Sequence, residues 1–418
     1  MRSPVVAIAS VIVSSTLVAS TTPFEREDLD WIVWNDQILA AVDVRTGKAV
    51  RGLMEVDGDF LTSFDITRIP GTDDSVFVTY DNEFARVSLP TWDELWRNRS
   101  LAGNARDVFD LLGVSISTDR LVLQSDNEIV AASLEGGRIV WRARRNEEEP
   151  LCSASIEGRH IVHVSASKTV CRSLLDGRTL WETDGGVAAV PLGGESGFVL
   201  YDGTTLRRMD VEGAVVWARR LACASNDDTA IVRIAGSRVF TSHSSCQETG
   251  TSCVHATDLT TGDRGARISA GVLTDALASS DGSMQVVHVT SDDSSPWTSS
   301  LIMVGSNGVQ WRRGARCTSV SWIWENDRLY VSEYFNSCCR VHLRCIDIAD
   351  GQTVWDADAR GFPHWGHTLF TAPRRTVSIH GDLVVLSGAN VEAFRKYDGE
   401  LVSRHRIVAE RMRPLRVP

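Results

Sequence analysis

The stretch CIDIADGQTVW, residues 345–355, decides how the rest of the chain reads. An apolar run ends in Asp347. Asp350-Gly351 follows as a turn signal, and Trp355 stands four residues beyond the glycine. Glycine suits the positive-φ position of a tight hairpin. The flanking β-branched and aromatic residues favour strands. The sequence predicts a two-residue hairpin turn whose second strand carries a large ring.

The same pattern recurs from end to end. It reads AVDVRTGK at 41–48, AASLEGGRIVW at 131–141, CRSLLDGRTLW at 171–181, MDVEGAVVW at 209–217, ATDLTTGD at 256–263, VGSNGVQW at 304–311 and AFRKYDGEL at 393–401. A degenerate copy, VSLPTWDELW, covers 87–96. Together with the starting copy these are nine, spaced by about 44 residues, the window of propeller blades. At one copy Asn307 holds the glycine position, and asparagine is the best non-glycine residue for positive φ. A second strand signal precedes most copies, as in Arg120-Leu121-Val122-Leu123 and Arg328-Leu329-Tyr330-Val331. A weaker strand, such as 150–156, fills the space before it. Three or four short strands per repeat make one antiparallel sheet. Such sheets cannot bury both faces alone, so they stack face to face around an axis.

This A-x-D-x-x-T-G-x-x-x-W pattern resembles the tryptophan-docking repeat of quinoprotein-type (PQQ-like) β-propellers, over about residues 30–405. The resemblance implies an all-β fold, a propeller of four-stranded antiparallel blades in which Trp96, Trp141, Trp181, Trp217, Trp311 and Trp355 each pack on the turn of the next blade. It also implies eight blades, whereas the copies number nine. We expect eight, with seven or nine as the neighbouring counts. The tail, 407–417, would supply an innermost strand missing from the first repeat and close the ring.

The chain has 418 residues, 43% hydrophobic and 23% charged, enough for a sizeable core. Its net charge of −11 argues against nucleic acid or anionic lipid as the main partner. The N-terminus, MRSPVVAIASVIVSSTLVAS, has one arginine, an apolar run and small residues at Val18-Ala19-Ser20. It reads as a signal peptide over 1–20, leaving one propeller domain over 24–418. A first buried strand or an uncleaved anchor are the other readings. No other stretch reaches the roughly 18 apolar residues of a membrane span. The expected location is the periplasm, cell envelope or exterior.

Nine cysteines in an exported chain point to disulfides. Cys171 and Cys345 both hold the alanine position of the motif, and Cys152 and Cys317 lie on the preceding innermost strands. Cys152–Cys171 and Cys317–Cys345 are therefore read as equivalent bridges, with Cys246 and Cys253 stapling one hairpin. Cys223, Cys338 and Cys339 remain. No zinc spacing is present. Adjacent cysteines such as Cys338-Cys339 resemble the disulfide over the cofactor of quinoprotein alcohol dehydrogenases, which are longer and carry catalytic and calcium-binding loops that have no counterpart here.

The acid pairs Asp73-Asp74, Asp227-Asp228 and Asp292-Asp293 lack the pattern of a calcium loop and read as solvated turns. His160, His163, His243, His255, His288 and His342 are scattered on strands. His364, Trp365 and His367 cluster in one segment that would line a mouth of the ring. No catalytic, cofactor-binding or metal residue is assigned, and no cofactor is expected. The first reading is a non-enzymatic, monomeric binding or scaffold propeller that engages another protein through one of its faces. The alternative is a PQQ-dependent dehydrogenase of alcohols or sugars.

Overall fold

The computed structural model describes the strands and most tight turns between residues 32 and 406, with 413–414. Residues 1–31, 55–63, 99–110, 145–150, 222–230, 244–251, 291–298, 316–318, 336–339, 360–375, 407–412 and 415–418 lie outside the described residues, as do several shorter turns. The signal peptide, the acid pairs, the 364–367 cluster and Cys223, Cys246, Cys317, Cys338 and Cys339 fall in those segments.

Every described element is a strand or a turn. Among the described residues there are nine four-stranded sheets, one per motif copy and one more than the resemblance implies. In chain order the sheets cover 32–54 with 413–414, then 64–98, 111–144, 151–184, 188–220, 231–270, 272–315, 319–359 and 376–406. From the second sheet on, strands follow one another antiparallel in sequence order. The first strands of successive sheets lie against one another, as Leu151–Glu157 does against Ala188–Pro191, and Ile231–Ala235 against Val272–Ala278. The first strands are therefore innermost. Ile32–Asn35 lies against both Phe64–Arg68 and Leu383–Ser387, which joins the first sheet to the second and the ninth.

The first sheet departs from the expected closure. Its motif turn joins Ile38–Asp43 to Lys48–Met54, the third and fourth strands elsewhere. Among the described residues only Ile32–Asn35 precedes them. The tail strand Arg413–Pro414 does not take the innermost place. It pairs parallel to the outer edge, Leu53 beside Arg413 and Met54 beside Pro414. The physical reason is proximity: the ninth sheet ends at its own outer strand, Leu401–Arg406, so the chain leaves at the perimeter.

The core lies between sheets. Val122, Ile129, Ala131 and Trp141 of the third sheet pack with Ile161 and Leu174 of the fourth. Tyr330, Val341, Leu343, Cys345 and Trp355 of the eighth pack with Val384, Leu386 and Phe394 of the ninth. Each sheet buries its apolar residues only against a neighbour, which is why strands read as near-continuous apolar runs.

The motif turn is longer than two residues. In the starting copy, five residues, 348–352, separate Arg340–Asp347 from Thr353–Ala359. Gly351 N–H donates to Asp347 O at 2.9 Å, and Asp347 N–H to Gln352 O at 2.9 Å. The Asp347 carboxylate accepts from Ala349 N–H at 2.9 Å. This closure leaves the Ile348 carbonyl free to face the preceding sheet. In the 304–311 copy the positive φ belongs to Gly308 (105°), not Asn307, and Gly305 pairs with Gly308 across 306–307.

Candidate functional site: docking turns and the inner strands of the sixth to eighth sheets

Six turns receive a tryptophan from the sheet before. Trp96 Nε1 donates to Leu134 O, Trp141 to Leu174 O, Trp181 to Val211 O, Trp217 to Leu259 O, Trp311 to Ile348 O and Trp355 to Lys396 O, all at 2.8–3.0 Å. Each ring lies over a turn glycine, respectively Gly137, Gly177, Gly213, Gly262, Gly351 and Gly399, whose φ values run from 65° to 90°. A Cβ on any of them would sit 2.5–2.8 Å from the ring. Glycine is therefore required twice, for its backbone and for the ring above it. Gly177→Ala should cost about 1–3 kcal/mol from positive-φ strain alone, plus displacement of Trp141. A chemical-denaturation loss below 1 kcal/mol would contradict this geometry.

The sixth-to-seventh junction lacks such a dock. The motif position four residues after Gly262 is Ala266, and the receiving turn is the short one at 306–307. Ring donor and carbonyl acceptor are missing together. Arg238 Nη2 to Gly305 O at 2.7 Å and Arg312 Nη2 to Ile268 O at 3.0 Å take their place. An apolar cluster that includes Phe240, Val254, Leu273 and Val287 fills the space between the two sheets.

Several ties were not read from the sequence. Asn98, Arg219 and Arg313, each two residues past a docking tryptophan, donate to the carbonyls of Gly137, Gly262 and Gly351. Arg86 and Arg208 reach the same carbonyls as Trp96 and Trp217, at 3.3 and 3.2 Å. Glu157 is buried and accepts from the N–H groups of Gly193 and Ser196 in the next sheet, at 2.8 and 3.3 Å. The polar residue at Trp + 2 is the signal that would have found the first group.

The bridge Cys152–Cys171 is corrected by the strand order. Cys171 is a buried free thiol, and Cys345 is another. Leu151–Glu157 pairs with His160–Ser165, which pairs with Lys168–Ser173, so a strand separates Cys152 from Cys171. Two strand spacings are about 9–10 Å, beyond the roughly 4.4–6.8 Å Cα separation of a disulfide. The strand Arg328–Phe335 intervenes in the same way between Ser319–Glu325, the strand after Cys317, and Cys345. The two thiols do share one environment. Cys171 faces Trp181 across the final hairpin and Cys345 faces Trp355. Burial pushes the Cys171 thiol up to about 12 and the Cys345 thiol up to about 11. Both should resist iodoacetamide in the folded protein and react after denaturation. Recovery of a linked 152–171 peptide under non-reducing conditions would overturn this assignment. Cys253 is buried with its Sγ 3.2 Å from His255 Nε2, and its proposed partner Cys246 lies outside the described residues.

Two charged groups whose ionisation burial shifts, Arg233 and Asp275, oppose each other on the inner strands of successive sheets. Arg233 (sixth), Asp275 (seventh) and Trp322 (eighth) meet there. Register slips between Leu273 and Asp275, a bulge that re-aims this edge. Burial raises the Asp275 carboxyl above its ordinary value. Ala276 N–H at 2.9 Å, the opposed Arg233 guanidinium and the Trp322 side chain pull the other way. Behind Asp275, His288 is 1% exposed and lies edge-on to Trp322, ring centroids 6.3 Å apart. Thr274 Oγ1 bonds its Nδ1, and its Nε2 makes no hydrogen bond. Burial lowers His288 to about 4. Perturbed groups gathered at one rim mark a candidate site. Their chemistry is recognition by a guanidinium, an indole and a carboxyl. Among the described residues no group of three or more His, Cys, Asp or Glu could hold a metal ion.

Two of the other strand histidines have charged partners. His163 accepts from Arg172 Nε at 3.2 Å, and His342 Nδ1 lies 3.0 Å from Asp358. No helix among the described residues is long and apolar enough to cross a membrane.

Residues 35–188 match the family described as outer membrane protein assembly factor BamB. No curated protein matches by sequence. Among solved structures, a eukaryotic initiation factor is 8% identical with a TM-score of 0.59, covering 90% of this chain and 96% of its own. The dihydro-heme d1 dehydrogenase NirN is 10% identical with a TM-score of 0.52, covering 79% of this chain and 73% of its own. BamB from Moraxella catarrhalis is 14% identical with a TM-score of 0.45, covering 74% and 95%. At these identities the structures speak to fold alone. The chain is an all-β propeller, and its residues 35–188 match the family model described as outer membrane protein assembly factor BamB.

Proposed function

We propose that the protein is a non-enzymatic binding or scaffold propeller, exported to the periplasm, cell envelope or exterior, and that it acts by holding another protein. The observation that carries this reading is the match of residues 35–188 to an assembly-factor family. The six docked turns support it, because they lock neighbouring sheets into a rigid frame on which loops and strand edges are displayed. The mature chain, 24–418, acts as one monomeric unit.

The experiment is affinity capture from envelope extract after brief crosslinking, with peptide-level mapping of crosslinks onto the chain. A reproducible partner crosslinked to one face is the expected result. The dehydrogenase alternative is tested in parallel by adding PQQ and calcium. A bound chromophore with dye-linked alcohol or sugar oxidation would replace the scaffold reading. Limited proteolysis should trim only termini and loop tips; a stable half-length fragment would refute the single unit.

A further inference from the structure

The fourth strand of each of the second to ninth sheets ends its ladder, so its outer N–H and C=O groups have no further strand beside them among the described residues. Open edges are templates for another extended chain. The molecule itself gives the precedent, because Arg413–Pro414 adds in parallel to the outer edge of the first sheet.

The edges are not equivalent. Val215–Arg220 of the fifth sheet, VVWARR, exposes every residue except Trp217. Val215 is 54% exposed and Val216 52%, side by side. The strand then turns from apolar to basic at Arg219 and Arg220, in a chain of net charge −11. Arg219 spends its Nε on Gly262 O at 3.1 Å and lies 3.7 Å from Asp263. Arg220 is exposed at the strand end. Alternation places Val216, Ala218 and Arg220 on one face of the strand and Val215, Trp217 and Arg219 on the other. Both faces therefore run from an aliphatic end to a cationic end. Among the described side chains, other outer strands are more covered or pair a charge, as at Glu94–Asn98, where Arg97 Nη2 pairs with Glu94 at 2.7 Å, and at Leu401–Arg406, where Arg404 pairs with Glu392.

We propose that the outer edge of Val215–Arg220 is a strand-addition site for an extended segment of a partner protein. That segment sets aliphatic side chains beside Val215 and Val216 and carboxylates beside Arg219 and Arg220. Backbone hydrogen bonds along the edge supply affinity, and the apolar-to-acidic order supplies register. This rests on the protein-binding reading above and adds the partner's chemistry and place.

Two synthetic octapeptides serve as probes, one running from valines to glutamates and the other reversed, so that parallel and antiparallel addition are separated. Binding is read by fluorescence anisotropy at low salt, with amide exchange as the locator. One peptide order should bind and slow exchange at 215–220. Val216→Lys and Arg220→Glu should each weaken it at least about tenfold, while Leu95→Lys on the second sheet leaves it unchanged. Both substitutions lie at exposed positions, and denaturation midpoints check that they leave the fold intact.

Absence of binding by either peptide, or binding indifferent to both substitutions, overturns the proposal. So does sedimentation showing a dimer abolished by Val216→Lys, which would assign the edge to a second copy. If the Val216→Lys protein still captures the same crosslinked partner from extract as the unmodified one, this edge is wrong while the scaffold reading stands. If the unmodified protein captures none, the scaffold reading itself fails.

Discussion

Trp355→Ala should lower the unfolding free energy by about 3–5 kcal/mol, the range for truncating a large buried aromatic. The ring is 7% exposed, stands over Gly399 and packs beside Tyr330 with centroids 6.0 Å apart. Its removal opens a cavity between the eighth and ninth sheets and leaves the Lys396 carbonyl without its donor. Trp355→Phe separates the two terms. It keeps most of the apolar contact and loses the N–H, so about 1–1.5 kcal/mol is expected from the hydrogen bond. Trp181→Ala should cost less than Trp355→Ala, because its ring is only half-buried over Gly213. Urea denaturation of the three variants checks the order. A Trp355→Ala loss under 1 kcal/mol would mean that the docked ring does not hold the sheets together.

The docking array was legible because its chemistry is local. A glycine at positive φ and a tryptophan four residues later recur within one hairpin, and each pair is visible in a single line of sequence. The sheet count followed the number of copies and not the number implied by family resemblance. Legibility failed where the answer depended on which strands become neighbours. Cys152 and Cys171 share a repeat, but sequence order 1-2-3-4 puts His160–Ser165 between them. The sequence predicts an inner strand for the tail because the first repeat lacks one, yet 413–414 pairs at the perimeter. Asn98, Arg219 and Arg313 reach across junctions to partners 38 to 43 residues away, and their shared place two residues past a docking tryptophan is their one local mark. The inner cluster was the least legible. Arg233, Asp275 and Trp322 come from three different repeats and meet only because the first strands converge.

Acidification should destabilise the protein through His288. In the folded protein burial holds its pKa near 4, while the unfolded chain titrates at the ordinary histidine value of 6.5. The folded-state value is the lower one, so the unfolded state takes up the proton first. Stability is fully present above about pH 6.5 and is lost as pH falls toward 4. At 1.36 kcal/mol per pH unit of difference, the loss between pH 7 and pH 4.5 is about 2–3 kcal/mol. His380, also lowered by burial, adds in the same direction, though its partial exposure makes its share smaller. Asp275 works the other way: its raised value favours the folded state as pH falls through the range just above 3.8. Protonation puts a second N–H on the buried ring, and the one at Nε2 has no acceptor, because only Nδ1 is bonded, to the Thr274 hydroxyl. His288→Leu isolates the effect. Urea titrations at pH 7 and pH 4.5 should show the unmodified protein losing about 2–3 kcal/mol more than the variant. An equal loss in both proteins would place the acid sensitivity elsewhere and leave His288 as a neutral packing residue behind Trp322.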